Sequence, residues 1–335
     1  MTLKVGIIGT NGHIRYVLDG IPEIEDCQLI GCCPEAEGKN VTKVTRHEAW
    51  SDNARVFDTP LDLLEEGKPD VVSVAMMFPE NSKYSRMALE RGVSVVSEKP
   101  LATELEDLDL LRKTAEHSQG RITAMYAYRF WPDYEAARNI RLTGSIGKVC
   151  QVSAQKSYQW GDRNDWYKQR ETYGGTIPWV AIHAIDFMRW TSGEDFTSVQ
   201  GMQANLVRKD FPGCEDCGAL LFGLTGGGQG ILTFDYLRPN AADSHGDDRL
   251  RIVGSTGIIE LQSARGIAEV TTDEEPVKKL EIPPETNMFV DFVKELRGGE
   301  PSRISQDEAF RSCEISLLAR KACEEGAVVK IPQPA

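Results

Sequence analysis

The chain has 335 residues, more than one hydrophobic core ordinarily organises, and its length predicts two domains of about 150 residues each. With 41% hydrophobic and 27% charged residues it has the composition of a globular protein rather than a disordered or fibrous one. Lys and Arg number 38 against 51 Asp and Glu, and the formal charge of −13 repels phosphate backbones and anionic membrane surfaces, which excludes nucleic acid and membrane as partners. The first predicted strand starts at Lys4, without the charged leader and short apolar core of a signal peptide, and no stretch approaches the roughly 18 unbroken apolar residues of a membrane helix. The expected location is the cytoplasm. Eight cysteines are too sparse for a disulfide scaffold in so long a chain. Cys27, Cys32 and Cys33 fall in or beside a predicted buried strand, and Cys214 and Cys217 form a lone CxxC without a second pair or a His at zinc-site spacing, so no metal is expected.

Up to about residue 125, apolar runs alternate with amphipathic stretches, the pattern of βαβ units and a parallel sheet. Strands are predicted at 4–9, 28–33, 70–75, 93–97 and 121–127. Helices are predicted over 81–91, ending at Gly92, and over 104–117, where Leu105, Leu108, Leu111 and Ala115 recur at helical spacing before Gly120. After Tyr128 the pattern changes. A helix over 132–143 ends at Gly144, and strands at 148–156, 198–207, 217–225, 228–237, 248–255 and 257–263 follow one another with a single helix, 182–191, among them. That succession predicts a mostly antiparallel sheet. Two late helices, 287–297 and 306–325, precede a last strand at 327–332.

In GIIGTNGH the chain leaves a buried strand, turns at Gly9 and enters a helix predicted to start near Gly12 to Ile14. Such a turn aims free backbone N–H groups and the positive helix end at a pyrophosphate, and its glycines let the backbone approach the ligand. Gly9, Thr10, Asn11, Gly12, His13 and Ile14 are the candidate cradle. Asn11 stands at the usual second-glycine position, where it tolerates left-handed dihedrals better than most residues. The acid expected on the adenosine ribose falls near Pro34, so Glu35 or Glu37 would serve, while Lys39 would instead favour a 2′-phosphate, leaving both NAD and NADP open. The fold expected is α/β plus α+β: an N-terminal Rossmann parallel-sheet domain over 1–125 and a C-terminal, mostly antiparallel α+β domain over 126–335, whose last helices are free to pack back on the first.

At SVVSEKPLA (94–102), Glu98, Lys99 and Pro100 follow a strand downstream of the glycine turn; with YRFWP (128–132), GKV (147–149), GGTIPWVAIHAID (174–186) and IVGSTGIIEL (252–261), in that order, the chain resembles the glucose–fructose oxidoreductase, inositol dehydrogenase and rhizopine-catabolism family (Gfo/Idh/MocA). The resemblance spans nearly the whole chain. It implies a nicotinamide cofactor lying on the glycine turn, Met76 and the Glu98–Lys99–Pro100 segment, with Lys99 aimed at the nicotinamide and the substrate hydroxyl through a peptide that is often cis. It further implies His183 as the general base, because a hydroxyl losing hydride must also lose a proton and imidazole titrates near neutrality. Four residues before this His the family carries an Asp; here Trp179 stands in its place after Pro178, and Phe78 and Asn81 replace an Asn and a His of the loop before the EKP strand. Asp186 would either orient the imidazole or face solvent, and Arg129 is a further candidate beside the substrate.

The segment 157–175 is dense in aromatic, amide and charged residues: Tyr158, Trp160 and Trp166 would stack on a sugar ring, and Arg163, Asn164 and Asp165 would bond hydroxyls or a carboxylate, unless the segment is an exposed loop or a subunit contact. His245, in SHGDDR (244–249), would complete the site from across the sheet or lie in a polar turn. The resulting expectation is an NAD(P)-dependent oxidoreductase acting on a hydroxyl or keto group of a sugar, polyol or sugar acid, as a homodimer or homotetramer. The alternatives are a redox-assisted glycosidase or lyase without net change in NADH and a sensor that binds cofactor or sugar without catalysis.

Overall fold

The computed structural model describes residues 2–36 and 39–334. The chain divides into two compact units, one comprising residues up to Ala127 with Thr286–Cys313, the other Tyr128–Glu285 with the residues from Glu314 onward.

In the first unit six described strands form a parallel sheet in the order Arg55–Val56, Cys27–Cys33, Leu3–Ile8, Val71–Val74, Ser94–Ser97, Ile122–Ala124. The order reverses direction at Leu3–Ile8, the strand from which the sheet is built outward on both sides, and in open α/β sheets ligands bind at the carboxyl ends beside such a switch point. VVSV (71–74) and SVVS (94–97) are buried at every residue. Ser73, Ser94 and Ser97 are buried along with the valines: helices cover both faces of a parallel sheet, and alternation of buried with exposed residues disappears. Helix Phe78–Leu89 packs with helix Leu105–His117, whose Leu108, Leu111 and Ala115 are buried. Helix Met288–Leu296 also belongs to this unit; the Asn287 side chain caps it by accepting from the amides of Phe289 and Val290 at 2.7 and 3.3 Å.

Two sequence expectations are corrected here. The helix after the glycine turn is a single turn, Arg15–Leu18, so little of a helix dipole stands behind the turn. The helix expected from Asn81 starts at Phe78, with Pro79 in its first turn, where a missing N–H costs nothing.

The second unit is a nine-stranded sheet among the described residues, in the order Lys278–Lys279, Ile267–Thr272, Gly257–Gln262, Gly246–Gly254, Val149–Gln159, Gln229–Arg238, Cys217–Leu224, Phe196–Ala204, Val329–Lys330. Every pairing is antiparallel except Val149–Gln159 with Gln229–Arg238. The two strands at one edge, Ile267–Thr272 and the charged Lys278–Lys279, were not anticipated; an edge strand buries little and carries charge that discourages further pairing. Here the strands do alternate: Leu232, Phe234 and Tyr236 are buried while Ile231 and Leu237 are each 40% exposed. The buried face packs against helices Pro132–Leu142 and Ile182–Ser192. Burying each such Leu or Phe stabilises by about 1.5–3 kcal/mol.

Candidate active site

The first unit assembles its functional residues around one carboxylate. Strand Ser94–Ser97 delivers Glu98 to the carboxyl end of the sheet, where its side chain is wholly buried. One oxygen accepts from the His13 amide at 2.5 Å and lies 3.0 Å from His13 Nδ1; the other accepts from the Lys99 amide at 2.9 Å. Burial pushes this carboxyl up, but the His13 imidazole, its hydrogen bonds and Lys99 outweigh that and hold it below the usual carboxylate range. Lys99 is 1% exposed, not a surface lysine, and the Lys99–Pro100 peptide is cis. Asn81, read from sequence only as a departure from a family pattern, is wholly buried and joins two loops: its Oδ1 accepts from the Met76 amide at 3.0 Å, and its Nδ2 donates to the carbonyls of Glu98 and Pro100, each at 3.2 Å.

The glycine turn is shaped by the same neighbours. Gly9 (φ +77°) and Gly12 (φ +58°) are left-handed, and a Cβ on Gly12 would lie 2.0 Å from Glu98 Oε2. Asn11 is not among the positive-φ residues, so the left-handed tolerance expected of it is not needed. Most of the turn's amides are engaged: Gly9 N donates to Cys33 O, Asn11 N to Ala75 O, Thr10 N to Glu35 Oε1 and His13 N to Glu98. The His13 amide, expected in the phosphate cradle, is therefore already bonded. Among the described residues the amides of Gly12 and Ile14 have no protein acceptor, and these two donors at the strand ends fit a pyrophosphate. Glu35 Oε1 also accepts from Thr10 Oγ1 at 3.0 Å, which places this acid against the turn; Glu37 lies outside the described residues.

In the second unit a π-helical turn, Ile177–Ala181, leads into helix Ile182–Ser192 and sets Trp179 and His183 four residues apart. Such turns are frequent at functional sites. His183 is buried, with its ring 5.1 Å from that of Tyr128. Sheet register then builds a cluster from which sequence reading singled out Tyr158 and the SHGDDR segment but missed Lys156 and the Tyr128 hydroxyl. Strand Val149–Gln159 pairs with Gly246–Gly254 so that Lys156 stands directly opposite Asp248, and Nζ lies 2.7 Å from Oδ1. The Tyr128 hydroxyl donates to Asp248 and accepts from Lys156, and lies 3.3 Å from the Tyr158 hydroxyl. Burial pushes the Lys156 ammonium down, and Asp248 only partly restores it, leaving it at about 8; burial pushes the Tyr128 phenol well up. His245 stacks on Tyr158 at 5.2 Å, and burial followed by the charge of Arg163 lowers its pKa.

Three expectations for this unit change. Asp186 does not face solvent: it is 1% exposed and both its oxygens accept from Arg129, at 2.9 and 2.7 Å. Arg129, equally buried, is thereby one half of a structural ion pair rather than a group presented to substrate. The Asp165 side chain is 90% exposed and pairs with Lys168 at 2.6 Å. Tyr158, Trp160 and Arg163 are half-buried, and Trp160 meets Tyr236 and Phe211 edge-on at 5.3 and 4.9 Å. Trp179 is buried, and its indole donates to the Tyr236 hydroxyl.

A strand order that reverses at the glycine turn, with a buried Glu-Lys-Pro beside it, defines a dinucleotide-dependent oxidoreductase. Comparison with known proteins agrees: residues 3–126 match the model of the oxidoreductase family with NAD-binding Rossmann fold, and residues 134–260 match the GFO/IDH/MocA C-terminal domain. The chain belongs to the Gfo/Idh/MocA oxidoreductase family, and its first unit is an NAD-binding Rossmann domain. It is similar to the inositol 2-dehydrogenase of Serratia proteamaculans, at 26% identity over 78% of this chain and 74% of that one, and to the myo-inositol 2-dehydrogenase of Thermotoga maritima, at 22% over 99% of each. A Thermotoga maritima structure solved as a candidate oxidoreductase superposes with TM-score 0.93 at 34% identity, covering 98% of this chain and all of the other.

Proposed function

We propose that the protein is an NAD-dependent dehydrogenase that interconverts a CH–OH and a C=O group on a sugar, polyol or sugar acid. The observation that carries this reading is the buried Glu98 clamp, which ties the glycine turn to Lys99 at the switch point of an NAD-binding sheet. The Gly12 and Ile14 amides would hold the pyrophosphate. The second oxygen of Glu35 would accept from the ribose hydroxyls, and its charge would repel a 2′-phosphate, favouring NAD over NADP. When bound, the nicotinamide supplies the acceptor for the hydride. In this reading Lys99 is the group for the substrate oxygen and His183 the base for its proton as the carbon loses hydride, so charge and atoms balance. Tyr128, pinned between Lys156 and Asp248, fixes the wall beside the imidazole.

The similarity to two inositol dehydrogenases supports a polyhydroxylated substrate. Among the described residues no helix is long and apolar enough to cross a membrane. The eight cysteines, all free thiols, favour a reducing compartment, the cytoplasm. The outer face of the nine-stranded sheet exposes Met202, Leu221, Ile231 and Leu237, which supports assembly into a dimer or tetramer.

A panel of sugars, polyols and sugar acids, followed at the reduced-nicotinamide absorbance band with NAD and NADP, tests the reading. It predicts turnover with NAD on at least one compound and improved use of NADP in Glu35→Ser. Turnover with no cofactor dependence contradicts it.

A further inference from the structure

One corner of the second unit holds two arginines that form no ion pair among the described residues. Arg163 lies 4.7 Å from the ring centre of Tyr236 and 5.6 Å from those of Trp160 and Tyr167. Arg208, from the loop after strand Phe196–Ala204, lies 4.9 Å from the same Trp160 ring. Both side chains are half-buried, the Nε of each has no hydrogen-bond partner, and neither forms an ion pair among the described residues. The acids of the adjoining strand are already engaged: Glu215 is paired with Arg170, and Asp216 accepts from the amides of Leu206, Val207 and Arg208. A desolvated guanidinium is unfavourable without a partner, and stacking on aromatic faces offsets that only in part. Two of them on one indole repel each other, which a bound anion would reverse.

The corner adjoins the helix of the candidate base. Tyr236, under Arg163, accepts from the Trp179 indole, and Trp179 precedes His183 by four residues. Trp179, in the π-helical turn, thereby links this corner to the start of the helix that carries His183.

We propose that Arg163 and Arg208, stacked on Trp160, bind an oxyanion of the substrate, so that the compound oxidised is an acidic sugar derivative, an aldonate, uronate or sugar phosphate, rather than a neutral polyol. The proposal rests on the dehydrogenase reading above and names its substrate class. A planar guanidinium fork suits a carboxylate, and the terminal nitrogens of each arginine, which unlike Nε are not among the buried atoms, supply the donors.

Calorimetric titration of the NADH-loaded protein with D-gluconate, D-glucuronate, D-glucose 6-phosphate and neutral D-glucitol tests it without requiring turnover. At least one anion is expected to bind about tenfold or more tightly than glucitol and to weaken as salt is raised. The three anions separate carboxylate from phosphate recognition. Arg163→Gln and Arg208→Gln should each weaken that anion about tenfold while leaving glucitol and NADH affinity within about threefold, and Arg163→Lys, which keeps charge without the fork, should fall between. Should Arg163→Gln fold poorly, Arg208→Gln and the salt dependence of the wild type decide. Glucitol binding as tightly as every anion, or both Gln variants weakening anion and glucitol equally, overturns the proposal. Anion binding without any hydride transfer would sink the dehydrogenase reading alone; turnover of neutral polyols insensitive to both arginines would sink this one alone.

Discussion

Asp186 and Arg129 show how a residue can be read as chemistry and prove to be architecture. Their paired oxygens and nitrogens are within 2.9 Å and both side chains are buried, so removing one partner leaves an uncompensated charge in the interior. Asp186→Ala is expected to lower unfolding free energy by about 3–5 kcal/mol in urea titration, whereas joint replacement by Arg129→Met and Asp186→Leu should recover much of it. A single Ala variant as stable as wild type contradicts the assignment. Lys156 offers a pH test. Its ammonium sits at about 8 in the folded protein against 10.5 in a free chain, so between these values the unfolded state binds more protons and the Lys156 contribution to stability rises with pH. The buried thiols Cys32 and Cys33, pushed up to about 12, act in the opposite sense above pH 9, so the lysine is read from a difference. The stability gap between wild type and Lys156→Met should shift in favour of wild type from pH 8 to pH 10. A constant gap would show that Lys156 is not depressed.

At the scale of elements, the glycine turn depends on its neighbour. Adding a Cβ at Gly12 drives it into Glu98 at a left-handed φ, so Gly12→Ala should store about 1–3 kcal/mol of strain and push the Glu98 clamp apart. NADH affinity, read by fluorescence titration, is expected to fall about tenfold or more; unchanged affinity would separate the clamp from cofactor binding. Much of this architecture was legible in the sequence. The strands VVSV and SVVS are rich in valine and lack exposed positions because both faces are covered, and Gln306–Glu325 was read to its ends because its helical period is unbroken. The site was legible only where its residues are contiguous, as in the glycine turn and Glu98–Lys99–Pro100. Lys156 and Asp248 are 92 positions apart, and only the pairing register of their strands brings them together; nothing local encodes it. Asn81 was passed over for a related reason, since its three bonds reach the backbone of two other loops. The helix expected to start near Gly12 to Ile14 starts at Arg15 and is one turn long, a length that apolar spacing alone does not give.

For the whole molecule, the outer sheet face is the surface on which the dimer or tetramer proposed above would assemble. Leu221 and Ile231 face each other across their strands and are each about 40% exposed. Leu221→Glu with Ile231→Glu should lower the mass seen by light scattering to that of a monomer while leaving the far-ultraviolet spectrum intact; an unchanged mass places the assembly surface elsewhere. The central claim concerns chemistry, and it is tested most directly by following an isotope. With a substrate from the panel deuterated at the oxidised carbon, the account predicts that deuterium appears at C4 of the nicotinamide, and that Lys99→Met slows this transfer about 10²–10⁴-fold while still binding NADH. Product formed with no deuterium on the nicotinamide, or transfer at full rate in Lys99→Met, would contradict it.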